Sequence, residues 1–159
     1  MNYNSQKSTK LTLAITCIFC VLLGALMIWA YPFLIWYLGA GRMGDILFLL
    51  CVFYICCPAA WIALLSIIKL LMNISKGEIF VFANVRSMKI LSWCCAFVSA
   101  VGFVAGFLSL PFFSHVSGLL YLTFFIVSLG AAFMMLILRV LKNIMAKATE
   151  IKNENELTI

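Results

Sequence analysis

Four long apolar segments make up most of the chain, and only short breaks separate them. They cover, roughly, residues 11–38, 46–68, 90–110 and 119–138. A helix needs about 20 apolar residues to cross the roughly 30 Å hydrocarbon core of a bilayer. The segments are continuously apolar, whereas the strands of a transmembrane barrel alternate between apolar and polar residues. The pattern therefore predicts an all-α protein, a bundle of four transmembrane helices.

The composition argues against a soluble domain. Apolar residues make up 66% and charged residues 10% of the 159 residues, whereas soluble domains have about 45–50% and about 25%. The first apolar segment is longer than the roughly 7–15 residues of a signal-peptide core, and no clear cleavage site follows it. We therefore expect this segment to remain as the first span, and residues 1–159 to form a single integral membrane domain.

Positive charge is concentrated on one side of the predicted membrane. Of the 11 Lys and Arg residues, only Arg42 lies on the other side. The rest precede the first span, lie in the loop over residues 69–89 or follow the fourth span: Lys7, Lys10, Lys69, Lys76, Arg86, Lys89, Arg139, Lys142, Lys147 and Lys152. Because cytoplasmic loops carry the excess of Lys and Arg, both termini and the loop should be cytosolic. We expect membrane lipid, rather than nucleic acid, to be the partner of this charge.

Small residues and prolines within the spans indicate how the helices pack. Ser99, Gly102 and Gly106 form a face of the third span that lets another helix approach closely. We expect this face to pack against another span of the same chain rather than to form a dimer. Pro32 should kink the first span. Pro58 frees a backbone carbonyl group in the second span, and a neighbouring group should cover it.

Close pairs of cysteines raise the question of redox or metal chemistry. The pairs are Cys17 and Cys20, Cys56 and Cys57, and Cys94 and Cys95. All lie within apolar spans, where a free cysteine behaves as a small hydrophobic residue. The alternatives are a disulfide oxidoreductase, or a metal site formed by the first and third pairs. His115, the only histidine, has no acidic neighbour in its outer loop. We therefore predict no enzymatic activity, no cofactor and no metal site.

Transport leaves a different signature. Pumps and exchangers usually keep an ionisable residue within a span. None of the four spans contains an acidic residue, and Asp45, at the edge of the second span, could cap its helix. Proton-coupled export of the kind performed by small four-helix multidrug transporters is therefore disfavoured. The alternative function is binding or transport of a small molecule in a pocket between the spans, near Pro58.

The tail over residues 139–159 is polar but keeps a helical rhythm. Leu141, Ile144, Ala148 and Ile151 recur at intervals of three or four residues, which is typical of an amphipathic helix. We expect the fourth helix to extend two or three turns into the cytosol. The tail then becomes acidic, beside a basic loop. This charge pattern suits docking of the tail to the loop or to a soluble protein, and both alternatives stay open.

Two short motifs resemble a known family. The loop reads KGEIFVFANVR from Lys76 to Arg86, and the chain ends with ATEIKNENELTI from Ala148 to Ile159. They resemble an uncharacterised bacterial four-span membrane-protein family, a domain of unknown function, with a G-x-x-F…N-V loop and a C-terminal E-N-D/E-L-T-I motif. The matching residues are Gly77, Phe80, Asn84, Val85, Glu150, Glu154, Asn155, Leu157, Thr158 and Ile159, and Glu156 stands where many members carry Asp.

The resemblance implies a fold and a location in the bacterial cytoplasmic membrane, but no activity. Members of the family often look like partners of a small helix-turn-helix transcription regulator that is encoded beside them. We therefore interpret the chain as a non-enzymatic regulatory or partner-binding membrane protein. It would engage a cytosolic protein through its loop and its C-terminal tail.

The loop residues of the motif have expected physical roles. Gly77 permits a sharp turn with positive φ. Asn84 is placed to cap the third helix. Ile79, Phe80 and Phe82 should lie at the membrane interface or against the bundle.

The tail residues of the motif form a second hypothesis. Leu157 and Ile159 would anchor the tail in an apolar groove. The glutamates Glu150, Glu154 and Glu156 would face Lys76, Arg86 or a basic partner.

The charge distribution predicts the topology. Green fluorescent protein fused after Ile159 should fluoresce, and alkaline phosphatase inserted at Lys76 should be inactive, because both positions are expected in the cytosol. Alkaline phosphatase inserted at Arg42 should be active and serves as the control. High phosphatase activity at Lys76 would contradict the prediction.

Overall fold

Four α-helices form the fold. A computed structural model describes residues 3–38, 43–77, 79–112 and 117–157. The helices are α1 (Tyr3–Leu38), α2 (Met43–Ser75), α3 (Phe82–Phe112) and α4 (Ser117–Leu157). Each contains a stretch that is long and apolar enough to cross a membrane, and no strand occurs in the described residues. The predicted bundle of four transmembrane helices is confirmed, and the chain is a multi-pass membrane protein.

The stretch predicted as a loop over residues 69–89 is mostly helical. α2 continues to Ser75 and α3 begins at Phe82, so the connection is limited to residues 76–81. The polar residues of this stretch mark the end of the hydrocarbon region and not the end of the helix. Lys, Met, Leu and Ser are all compatible with a helix, and the first strong helix breaker is Gly77.

α4 is also longer than expected. It has 41 residues, which correspond to about 60 Å at 1.5 Å per residue, twice the thickness of the hydrocarbon core. It continues about five turns past Leu138 instead of two or three. Neither glycine nor proline follows Gly130, so nothing in the local sequence ends the helix.

Each helix packs against its neighbour in the chain. α1 contacts α2, α2 contacts α3, and α3 contacts α4 most extensively of all. No other pair of helices is in contact within the described ranges. The four helices therefore form a row with α2 and α3 in the middle. In α2, the Tyr54 hydroxyl donates a hydrogen bond to the Met27 carbonyl of α1 at 2.9 Å.

The interface between α3 and α4 combines small residues with hydrogen bonds. The Ser99 hydroxyl donates to the Ser128 carbonyl at 3.0 Å, and the Ser128 hydroxyl donates to the Ser99 carbonyl at 2.7 Å. A Cβ atom added to Gly102 would lie 3.2 Å from the Ser128 Cβ, and one added to Gly106 would lie 3.2 Å from the Phe125 ring. The expectation that this face packs against another span of the same chain is confirmed.

Prolines interrupt neither α1 nor α2. Pro32 and Pro58 lie inside these helices, which continue to Leu38 and Ser75. Asp45 lies in the first turn of α2, where the helix dipole favours a negative charge. Arg42 and His115, which belong to the two predicted outer loops, lie outside the described residues.

The close approach of α3 and α4 predicts the effect of a matched pair of substitutions. Gly102→Leu should lower the free energy of unfolding by about 1–3 kcal/mol, because its side chain would enter the packed interface at Ser128. Gly130→Leu in α4 should be nearly neutral, because no atom lies within 4 Å of the corresponding Cβ position. Unfolding by steric trapping in bicelles would measure both. Equal effects of the two variants would contradict this account of the interface.

Candidate functional site

A tight turn connects α2 to α3. The backbone N–H of Gly77 donates to the Ile74 carbonyl at 3.0 Å, and the N–H of Lys76 donates to the Asn73 carbonyl at 3.1 Å. Gly77 has a φ of 84°, the left-handed conformation that commonly ends a helix and that favours glycine. The predicted sharp turn with positive φ at Gly77 is therefore confirmed.

Asn84 fastens this turn to α2. Its side chain is 0% exposed. The Asn84 Nδ2 donates to the Ile79 carbonyl at 2.9 Å, and its Oδ1 accepts a hydrogen bond from the Asn73 Nδ2 at 2.8 Å. α3 begins at Phe82, so Asn84 lies inside the first turn and not at the capping position that we predicted. Asn84 contacts α2 because α2 continues to Ser75, which brings Asn73 within hydrogen-bond distance of the Asn84 side chain.

The apolar residues of the turn are exposed. Ile79, Phe80 and Phe82 are all among the exposed hydrophobic side chains, so they do not pack into the bundle. Val85 is half-buried and Arg86 is exposed. Of the two positions expected for the aromatic rings, the membrane interface is therefore the one that their exposure favours.

The two sides of the α4 extension differ. Leu138 and Thr149 are buried, and the Thr149 hydroxyl donates to the Met145 carbonyl within the helix at 2.8 Å. Ile144 and Ile151 lie on the opposite side, and each is 59% exposed. We call Leu141, Ile144 and Ile151 the exposed stripe. The predicted amphipathic helix therefore exists, but its apolar face is not covered by the described part of the chain.

The acidic end of the tail does not reach the basic loop within the described residues. Glu150 and Glu154 are exposed residues of α4. Neither Lys76 nor Arg86 forms an ion pair with a described carboxylate. Thr158 and Ile159, together with the side chains of Asn155, Glu156 and Leu157, lie outside the described residues. Docking of the end of the tail therefore stays a prediction.

An amphiphilic groove runs between α2 and α3. It consists of two adjoining cavities of about 860 and about 650 Å³, which share Ile62, Arg86 and Ile90. Pro58 lines the larger cavity. The groove therefore lies where the sequence predicts the alternative function, a ligand pocket near Pro58. Its cationic end was not part of that hypothesis.

The cysteine pairs lie on separate helices. Cys17 and Cys20 belong to α1, whereas Cys94 and Cys95 belong to α3, and these two helices make no described contact. The arrangement therefore does not bring together the four thiols of the metal-site alternative. No group of three potential metal ligands occurs among the described residues.

Sequence reasoning missed two features of the site. One is Asn73, the partner of Asn84, whose only signal was an amide side chain close to the end of an apolar span. The other is the convergence of Lys69 with Arg86 in one cavity. The sequence does show that Lys69 and Arg86 lie at similar distances from the turn. Because α2 and α3 run antiparallel, residues at similar distances from the turn lie close together.

Comparisons with known proteins identify a family. A family model described as a protein of unknown function, DUF2975, matches residues 3–159. No curated protein and no solved structure matches the chain.

The contact between Asn73 and Asn84 predicts a coupled loss of stability. Asn84→Ala should lower the free energy of unfolding by about 1–3 kcal/mol, because it leaves buried polar groups without their partner. Asn73→Ala should cost less, and the double variant should cost less than the sum, since both remove the same hydrogen bond. Ser75→Ala, at an exposed residue of α2, is the control. The free energy of unfolding of each variant would be measured in bicelles. If the loss in the double variant equalled the sum of the two single losses, the contact would be contradicted.

Proposed function

The chain belongs to the DUF2975 family of proteins of unknown function, and we propose that it is a non-enzymatic membrane protein that binds a cytosolic protein. Binding takes place on the part of α4 that extends beyond the membrane. The turn between α2 and α3 lies at the same end of the molecule and completes the binding surface. The protein would thereby hold its partner at the membrane and regulate it.

The exposed stripe is the observation that carries this proposal. Exposed apolar side chains within the spans face lipid, so their exposure does not indicate a protein partner. Ile144 and Ile151 follow Arg139 and Lys142, which lie beyond the span expected from the sequence, and we propose that water surrounds the helix there. Burial of one isoleucine side chain contributes about 1.5–3 kcal/mol, so two of them can anchor a partner. They are seven positions apart, two helical turns, and therefore lie on one side of α4.

The charges around the stripe indicate the chemistry of the partner. Glu150 and Glu154 are exposed near Ile151, and the remaining acidic residue of the tail, Glu156, follows. Lys147 and Lys152 are exposed on the same extension. The acidic residues suit a partner whose apolar groove has basic residues at its edge. DNA-binding regulators carry basic surfaces for phosphate contacts. A small helix-turn-helix regulator, the partner that the family resemblance implies, fits this description.

The turn contributes rigidity to the proposed surface. The buried Asn84 links the turn to α2, and the α3–α4 interface links α3 to α4. The base of the α4 extension is therefore held in place, while the side chains from Glu150 to Glu154 are accessible or partly accessible. A helix that is already formed loses little conformational entropy when a partner binds, which favours affinity.

The groove beside Pro58 supports the second candidate function, binding of a small molecule between the spans. All of its described lining residues come from α2 and α3. A groove between two adjacent helices opens toward lipid and provides no path across the membrane. It therefore favours a bound amphiphile over a transported solute.

Site-directed photo-crosslinking in native membranes tests the proposed docking surface. A photoreactive residue at Ile151 should form an adduct with a soluble protein, and one at Leu129, an exposed residue within the span, should not. We expect the adduct to contain a small helix-turn-helix regulator, the partner that the family resemblance implies. The same soluble adducts at both positions, or none at Ile151, would count against the proposal.

Substitutions in the stripe measure its contribution to binding. Ile144→Ser with Ile151→Ser should reduce recovery of the regulator in a detergent pull-down at least tenfold, because two anchoring side chains are lost. Deletion of residues 154–159 should also reduce recovery. Leu129→Ser, which changes an equally exposed residue of the same helix, should leave recovery unchanged. Unchanged recovery after the double substitution would overturn the proposed role of the stripe.

A further inference from the structure

The groove between α2 and α3 has one apolar part and one cationic part. Its apolar part extends from Ile55 and Phe97, within the spans, to Ile62 and Ile90. The cationic part is formed by Lys69, in the last two turns of α2, and by Arg86 and Lys89 near the start of α3. We call these three residues the basic rim. α2 and α3 run antiparallel, so the rim lies at the membrane face that carries the turn.

No described carboxylate lines the groove beside the basic rim. None of the described residues that line its two cavities is acidic. A third cavity, between α3 and α4, contains Lys89 again together with Arg139 and Lys142, and it has no acidic lining residue either. Cations of three helices therefore lie at one membrane level without a described acidic neighbour in these cavities. Such an arrangement attracts anionic groups.

The position of the rim indicates where its counter-charge comes from. Lys and Arg near the end of a span extend toward the headgroup region. Phosphate groups occupy that region, and a guanidinium group can form two parallel hydrogen bonds with a phosphate. The apolar part of the groove leads from the rim into the hydrocarbon region, where acyl chains lie. The larger cavity, at about 860 Å³, falls within the roughly 300–1,000 Å³ that is typical of ligand sites.

We propose that the groove is a binding site for an anionic glycerophospholipid. The headgroup phosphate contacts Arg86, Lys69 and Lys89. One acyl chain lies along the groove past Ile90 and Ile62, beside Pro58. The amphiphilic lining favours a lipid over a free anion, because a free anion would leave the apolar part of the groove unfilled. The proposal rests on the second candidate function and names its ligand. The site lies on α2 and α3, apart from the exposed stripe on α4, so it does not depend on the proposed partner binding.

Native mass spectrometry of the full-length protein tests the site. The protein is purified in detergent and mixed with equal amounts of phosphatidylglycerol and phosphatidylcholine that have the same acyl chains. We expect the first bound lipid to be phosphatidylglycerol. Arg86→Gln with Lys89→Gln should reduce the preference about 30-fold, since each cation near an anionic headgroup contributes about fivefold.

Two further variants separate binding from folding. Arg86→Lys with Lys89→Arg keeps both charges and should retain the preference. Lys147→Gln removes an exposed cation that lines none of the three cavities, and it should also retain the preference. Helix content and thermal unfolding monitored by circular dichroism verify that all variants are folded. Equal retention of the two lipids by the original protein, or an unchanged preference after the double Gln substitution, overturns the proposal.

Discussion

The hydrocarbon core offers no hydrogen-bond partner to a peptide group and no hydrophobic force to hold two helices together. The first property limits the spans to helices or closed barrels, and the continuously apolar segments of this protein select helices. The second makes close packing and interhelical hydrogen bonds the means by which the spans associate. The most extensive interface, between α3 and α4, has both: Gly102 and Gly106 let the helices approach, and Ser99 and Ser128 exchange hydrogen bonds. α2 packs against α3 and α1 packs against α2, so the row of helices extends from this pair.

The same constraint moves most of the charged residues to one end of the molecule. Charged side chains leave the hydrocarbon region, and α2, α3 and α4 place them around the turn of Lys76 to Val81 and along the α4 extension. Two surfaces result there. One is the groove between α2 and α3, which has the basic rim at one end and an apolar part within the spans. The other is the α4 extension, where isoleucine side chains are exposed between acidic and basic residues. A lipid suits the first surface, and a protein suits the second.

Parts of the site could be predicted because they depend on local chemistry. Gly77 was expected to permit a turn with positive φ because glycine has no Cβ atom, and this expectation is confirmed. Asn84 was assigned a cap because an Asn before an apolar segment is typical of one. Its actual role depends on Asn73, which no local pattern links to it. The four cysteines of the metal-site alternative likewise looked like one group, until the row of helices placed them on α1 and α3.

The sequence by itself determined the number of spans, their helical form and the small-residue face of α3. The bilayer sets the length of each span, and continuously apolar segments exclude the alternating strands of a barrel. Hydropathy does not show which side of a span packs against another span, because lipid chains and the side chains of a neighbouring helix are equally apolar. Only the tertiary structure could therefore decide the order of the helices in the row, the groove beside Pro58 and the side of α4 left uncovered. These features depend on how side chains from distant segments fit together, and that fit is a property of their shapes.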